Sequence, residues 1–263
     1  MRAAERAGAP GRIRFTRRQL YYELCRGLRP VQRLPRRLRV TPRPAVGYER
    51  FLAALDAHGP VPGLLTGDRP APVAALHDDV PDLYDYGLPR LLVCQDPEIA
   101  GMLLANELHM ESACPVFALR DLPLDPRLTA ALQRTPDAVV HVLHDASTAG
   151  YAAVADVVRW AGDVRVHPLG LRPVHATALH LCTTAAARSA VFAGGGLPAL
   201  AGGLEPWELR WLGAGRAVEV AAVGPARLLR TVHRLVRGVT RNRRRPALRR
   251  QIRAAGFMTW PAA

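Results

Sequence analysis

The 263-residue sequence predicts an α/β protein built on a mostly parallel sheet. Three observations lead there. Four short apolar runs recur between residues 90 and 169, each bounded by polar or proline-containing turns. Segments with helical spacing of apolar residues separate them. The resulting order β-α-β-α-β-α-β suits parallel strands, whose crossover helices cover both sheet faces.

The first predicted element is a helix from Thr16 to about Arg29. Thr16 and Gln19 have capping-box spacing, and Pro30 ends the helix. At about 100° per residue, Leu20, Tyr21, Leu24, Cys25 and Leu28 share one face. Arg18, Tyr22, Arg26 and Arg29 share the other. Residues 30–44 read as a Pro/Arg-rich linker. A second helix is predicted over Tyr48–His58, with Gly59 as its stop. Residues 59–89, rich in Pro, Gly and Asp, read as a long connection.

Beyond that boundary, strands are predicted at Leu91–Cys94, Val116–Leu119, Ala138–His144 and Val164–Leu169. Helices are predicted at Pro97–His109, Asp125–Gln133 and Thr148–Ala161, the first capped by Asp96 with Pro97 at its first position. His175–Phe192 has a helical pattern, and Gly194–Gly203 is a loop. Trp207 and Trp211 lie four apart on a helix face, and Ala226–Arg241 and Ala247–Ala255 are basic helices. The chain thus divides into a basic segment (1–58), a linker (59–89), an α/β core (90–192) and a Gly-rich loop with a basic helical tail (193–263).

Charge is segregated along the chain. The net charge is +14, and every one of the 36 basic side chains is Arg. Residues 1–50 hold 14 Arg against three acids, residues 51–226 hold 11 Arg against 19 acids, and residues 227–263 hold 11 Arg and no acid. Two basic arms on an acidic body predict a polyanionic partner, and the guanidinium fork suits phosphate. In the tail, Arg227, Arg230, Arg234, Arg237 and Arg241 recur at steps of three and four, opposite Leu228, Leu229, Val232, Leu235, Val236 and Val239. Such a basic amphipathic helix suits DNA, an acidic partner, an anionic membrane surface or the protein's own acidic body.

Several chemistries are disfavoured. Cys25, Cys94, Cys114 and Cys182 are far apart, with neither zinc-ribbon nor disulfide-framework spacing. There is no GxGxxG, Walker A or GxSxG motif. His141 and His144 would point to opposite faces of a strand. The N-terminus carries no apolar secretory region, and the uncharged stretch Ser189–Leu204 is broken by glycines and prolines. These features predict a cytoplasmic location and no transmembrane segment.

In open α/β sheets, ligands bind beyond the carboxyl ends of the strands. That edge collects Gln95–Asp96, Arg120–Asp121, Asp145–Ser147 and the stretch from Pro168. Its oxygens suit Mg²⁺, while Asp96, Asp121, Ser147 and Thr148 equally suit helix capping.

The segment HVLHDASTAGYAAVADVV (141–158) resembles the third motif of the toprim fold, with Asp145 as the first Asp and Gly150 as the glycine. RLLVCQDPEIAGMLLANEL (90–108) resembles the toprim opening strand and helix, with Gln95 where a Glu is usual. FTRRQLYYELCR (15–26) is similar to the winged-helix motif of the A subunit of type IIB topoisomerases and the related meiotic break-forming proteins. The resemblance implies a toprim-like (Rossmann-like) core behind a winged-helix-like segment. It implies Tyr22 as a nucleophile that attacks a DNA phosphodiester, Arg18 and Arg26 as its flanking cations, and Gln95, Asp96 and Asp145 as Mg²⁺ ligands. The motif departs from the family at two of three carboxylates, since Gln95 replaces the Glu and Ser147 the second Asp. The expectation is therefore a DNA-binding protein with a decayed or altered cleavage site, contacting nucleic acid through Arg17, Arg18, Arg26, Arg234, Arg237, Arg241 and Arg244, alone, as a homodimer or with a partner subunit. An active Mg²⁺-dependent strand-cleaving enzyme using Tyr22 and a non-DNA interaction protein with Arg-rich arms are the alternatives.

Overall fold

Four parallel strands, β1 (Arg90–Cys94), β2 (Val116–Ala118), β3 (Val139–Leu143) and β4 (Arg165–Pro168), pair in the order β2-β1-β3-β4. The computed structural model describes residues 2–29, 31, 35, 38–65, 88–185 and 203–238. Three of the strands are short apolar runs whose side chains alternate between two packed faces. Leu91 and Val93 of β1 and Val140 and Val142 of β3 meet Leu128 and Leu132 of α6 (Pro126–Arg134) and Val154 and Val157 of α7 (Thr148–Ala161). Leu92 and Cys94 join Ile99, Met102 and Leu103 of α4 (Pro97–Ala105) on the opposite face. This two-sided burial is why β1 reads as a continuous apolar run and β3 as one interrupted only by the buried His141. The edge strand β4 leaves Arg165, His167 and Pro168 exposed.

The N-terminal segment packs into that second face. α1 (Arg2–Gly8) lies on α2 (Arg17–Leu28), and α3 (Tyr48–His58) follows. Thr16 caps α2 as predicted: its hydroxyl accepts the Gln19 N–H at 3.1 Å, and the Gln19 carboxamide accepts the Thr16 N–H at 3.0 Å. Phe15 forms a parallel bridge to Leu64, so residues 61–65 of the predicted linker are tied to this segment. Leu20, Tyr21, Tyr22 and Cys25 share one buried cluster with Leu92 and Ile99.

α3 and α7 have the limits their periodicity predicted. Two other helices are shorter. The helix expected over Pro97–His109 stops at Ala105, and α5 (Leu108–Ser112) follows as a separate turn. Asn106 breaks it by exchanging two side-chain bonds with the Arg14 backbone, each 2.9 Å, after which Glu107 adopts a left-handed φ of 58°. Of the helix expected over His175–Phe192, the described residues hold α8 (Pro173–Ala178), and residues 186–192 lie outside the described residues. There the chain turns at His180 and enters β5 (Thr184–Ala185), with Thr183 donating to the Pro42 carbonyl at 2.9 Å.

α9 (Pro206–Gly213) carries Trp207 and Trp211, as expected. β6 (Arg216–Ala217) pairs antiparallel with β5, and a single 3₁₀ turn (Val220–Ala222) leads to α10 (Pro225–Val236). α10 seats Leu228, Val232 and Val236 in the core and leaves Leu235 partly exposed. Val239, the Gly194–Gly196 run and the Ala247–Ala255 segment lie outside the described residues. Among the described residues no helix is long and apolar enough to cross a membrane.

Candidate functional site

The strand order places a topological switch point between β1 and β3, because the chain leaves β1 towards β2 on one side and β3 lies on the other. Gln95 and Asp145 face each other there. The Gln95 N–H donates to the Leu143 carbonyl, and the Gln95 carboxamide oxygen accepts the Asp145 N–H, both at 2.9 Å. Gly150 permits the tight turn that follows: a Cβ at this position would stand 2.2 Å from the Asp145 carbonyl oxygen. Ser147 caps α7 by accepting the Gly150 N–H at 3.0 Å.

The crevice is closed from above by the segment after β6. Ala146 and Val218 form a two-bond antiparallel bridge, at 2.9 and 3.1 Å, and the Val220 N–H donates to Asp145 Oδ1 at 2.7 Å. Glu219, between these contacts, receives Arg18 of α2 as a two-bonded ion pair at 2.9 and 3.0 Å. The same guanidinium lies 4.3 Å from the centre of the Tyr48 ring. Asp96 spends an oxygen on the first turn of α4, accepting the Glu98 N–H at 2.8 Å.

The structure therefore brings Arg18, Tyr22, Gln95, Asp96 and Asp145 to one end of the sheet. It gives them other work than the resemblance implies. Tyr22 was expected on a basic, solvent-facing side of its helix, but it is 1% exposed, because the Val220–Ala222 turn packs on that side of α2. Among the described residues its hydroxyl has no partner within hydrogen-bonding geometry. Burial, reinforced by Glu219, raises the phenol well above its ordinary range against the opposing pull of Arg18. A buried, neutral phenol is a poor nucleophile.

Burial shifts the neighbouring carboxyl groups in the same direction. Burial pushes Asp145 up to about 7, with Glu219 and Asp96 adding to the rise and the Val220 N–H and Arg18 opposing it. Burial also raises Asp96 and Glu98. Mg²⁺ needs ionised oxygens that converge. Here one oxygen each of Asp96, Asp145 and Gln95 is committed to a backbone N–H, and the local cation is Arg18. Among the described residues no three His, Cys, Asp or Glu groups are placed to hold a metal. The donor set does not fit the divalent ion that the resemblance implies.

The expected nucleic-acid contacts divide in the same way. Arg18 is spent on Glu219 and Tyr48, and Arg26 on Glu23 and the Ala222 carbonyl, the latter at 2.6 Å. Arg17, Arg234 and Arg237 are exposed, and Arg241 and Arg244 lie outside the described residues. Arg227, Arg230, Arg234 and Arg237 form an exposed stripe along α10, with no carboxylate partner among the described residues, beside Arg2 and Arg6 of α1. Sequence reasoning missed Glu219, Tyr48 and Glu98. A lone Glu in the apolar run AVEVAAV was the available signal for the first. No family model matches the chain, and neither a curated protein nor a solved structure is significantly similar to it.

Proposed function

We propose that this chain is a DNA-binding protein organised like the A subunit of type IIB topoisomerases, with a winged-helix-like N-terminal segment, a toprim-like core and a non-cleaving centre. The observation that carries the binding half is the arginine stripe of α10. Its apolar side is buried in the core, so the helix is held rigidly with Arg227, Arg230, Arg234 and Arg237 turned outward. Four guanidinium groups on one ordered face, without a carboxylate partner among the described residues, suit the regular phosphates of a duplex. The loss of cleavage is supported by the dry Tyr22 hydroxyl and the internally satisfied Asp145.

Fluorescence anisotropy with a labelled 20-base-pair duplex across a salt series tests the binding. Affinity is expected to fall linearly on a log–log plot, and Arg230→Ala with Arg234→Ala to reduce the slope by about 2. An unchanged slope in that variant removes the reading. Cleavage is tested with supercoiled plasmid and Mg²⁺. No detergent-stable protein–DNA link is expected, and a link that Tyr22→Phe abolishes would restore the catalytic alternative.

A further inference from the structure

A second, chemically different surface lies at the far side of α2. The stretch 39–47, the β5–β6 pair and α9 enclose an open groove whose lining includes Arg39, Arg43, Arg216, Tyr21, Trp207 and Trp211. Among the described residues no carboxylate lines it. Arg39, Arg43 and Arg216 are exposed, and none has a carboxylate partner among the described residues. Trp211 is 7% exposed and fixes the floor, while Trp207 is only partly buried and carries the Arg39 guanidinium 5.3 Å from its ring centre. Tyr21 is anchored by its hydroxyl to the Val46 carbonyl at 2.7 Å, which holds the 39–47 wall against α2.

We infer that this groove takes single-stranded nucleic acid, a proposal that rests on the nucleic-acid-binding reading above. The chemistry is a planar aromatic ring flanked by cations. A base stacks on Trp207 and extends the stack that Arg39 already makes, while Arg43 and Arg216 meet the phosphates on either side. A duplex has its bases stacked internally and offers no free ring face, so the groove discriminates unpaired from paired strands. The α10 stripe, which carries only charge, does not. Together they suit a junction where duplex meets an unpaired strand.

The test uses the full chain with two fluorescein-labelled probes, a (dT)15 strand and a 15-base-pair duplex, and with poly-glutamate as competitor. Adding (dT)15 is expected to quench tryptophan fluorescence, and Trp207→Leu to remove most of that quench and weaken (dT)15 binding about 5- to 100-fold. Trp207 also contributes to packing, so the surface pair Arg43→Ala with Arg216→Ala provides an independent reading. It is expected to lower the salt slope for (dT)15 by about 1.4 and leave duplex binding within twofold. Retained (dT)15 binding in the Arg pair, with duplex still bound, overturns the groove alone. Failure of the wild-type chain to bind either probe overturns the functional reading with it. Displacement of (dT)15 by poly-glutamate at equal charge concentration also overturns the proposal, because the groove would then serve an acidic peptide.

Discussion

Asp145 is the residue where sequence and structure diverge most instructively. It stands just after β3, where the strand pattern put it, and its neighbourhood decides what it does there. An isolated carboxylate at a switch point would be wet and charged. This one is roofed by Val220 and Glu219, so its proton is held to about pH 7. The unfolded chain releases that proton near pH 4. Between those values the folded form binds more protons than the unfolded form, so stability falls as pH rises from about 4 to about 7. The loss is on the order of 4 kcal/mol as an upper bound, with the raised carboxyls of half-buried Asp96 and solvent-facing Glu98 acting in the same direction. Asp145→Asn retains a carbonyl oxygen for Val220 and removes the titration. Its Tm is expected to exceed the wild type's by several degrees at pH 8 and to match it near pH 4. Equal pH dependence in the two proteins would show that Asp145 does not carry the effect. The short-range residues here were legible, since Ser147 and Asp96 have capping spacing. Glu219 was not, because its meaning depends on an Arg two hundred residues away.

At the scale of elements, legibility followed locality. α2, α3 and α7 owe their limits to caps, prolines and glycine stops within a few residues, all visible in the chain. Thr16→Ala removes one half of a buried capping box and is expected to cost about 1–2 kcal/mol, a Tm drop of roughly 2–8 °C by calorimetry. The helix breaks after Ala105 and Ala178 were hidden, because each is set by a partner distant in sequence: Arg14 for Asn106, and Pro42 for Thr183. The burial of Tyr22 was hidden for the same reason. Helical spacing identifies one apolar face on α2, and the opposite face becomes interior only when the Val220–Ala222 turn lands on it. The basic helix α10 shows the reverse case. Its apolar and arginine faces were both read from spacing, and the fold uses each as its composition dictates.

At the scale of the whole molecule, one core joins the first and last described segments. Composition suggested a basic arm, a linker and a separate α/β unit, but Leu20, Tyr21, Tyr22 and Cys25 are buried against the sheet layer that contains Leu92, Cys94 and Ile99. α10, near the other end of the described chain, closes the same cluster with Leu228 and Val232. Burying side chains of this size is worth roughly 1.5–3 kcal/mol each. The four from α2 alone thus contribute on the order of 6–12 kcal/mol, comparable to the roughly 5–15 kcal/mol by which domains are stable. Arg18 adds a charged tether across the same seam, where its pair with Glu219 is partly screened by solvent and contributes less. The sheet is therefore expected not to fold as an independent unit. A chain beginning at Leu88 would expose Leu92, Ile99 and Met102 to water and leave Glu219 without its cation. Such a fragment is expected to show no cooperative thermal transition by circular dichroism, and to regain one when a peptide spanning residues 2–65 is added. A cooperative transition in the fragment alone, near the full chain's Tm, would mean that the α/β layer stands without the arm. The arginines of α2 would then be free to act in solvent rather than as part of the core's edge.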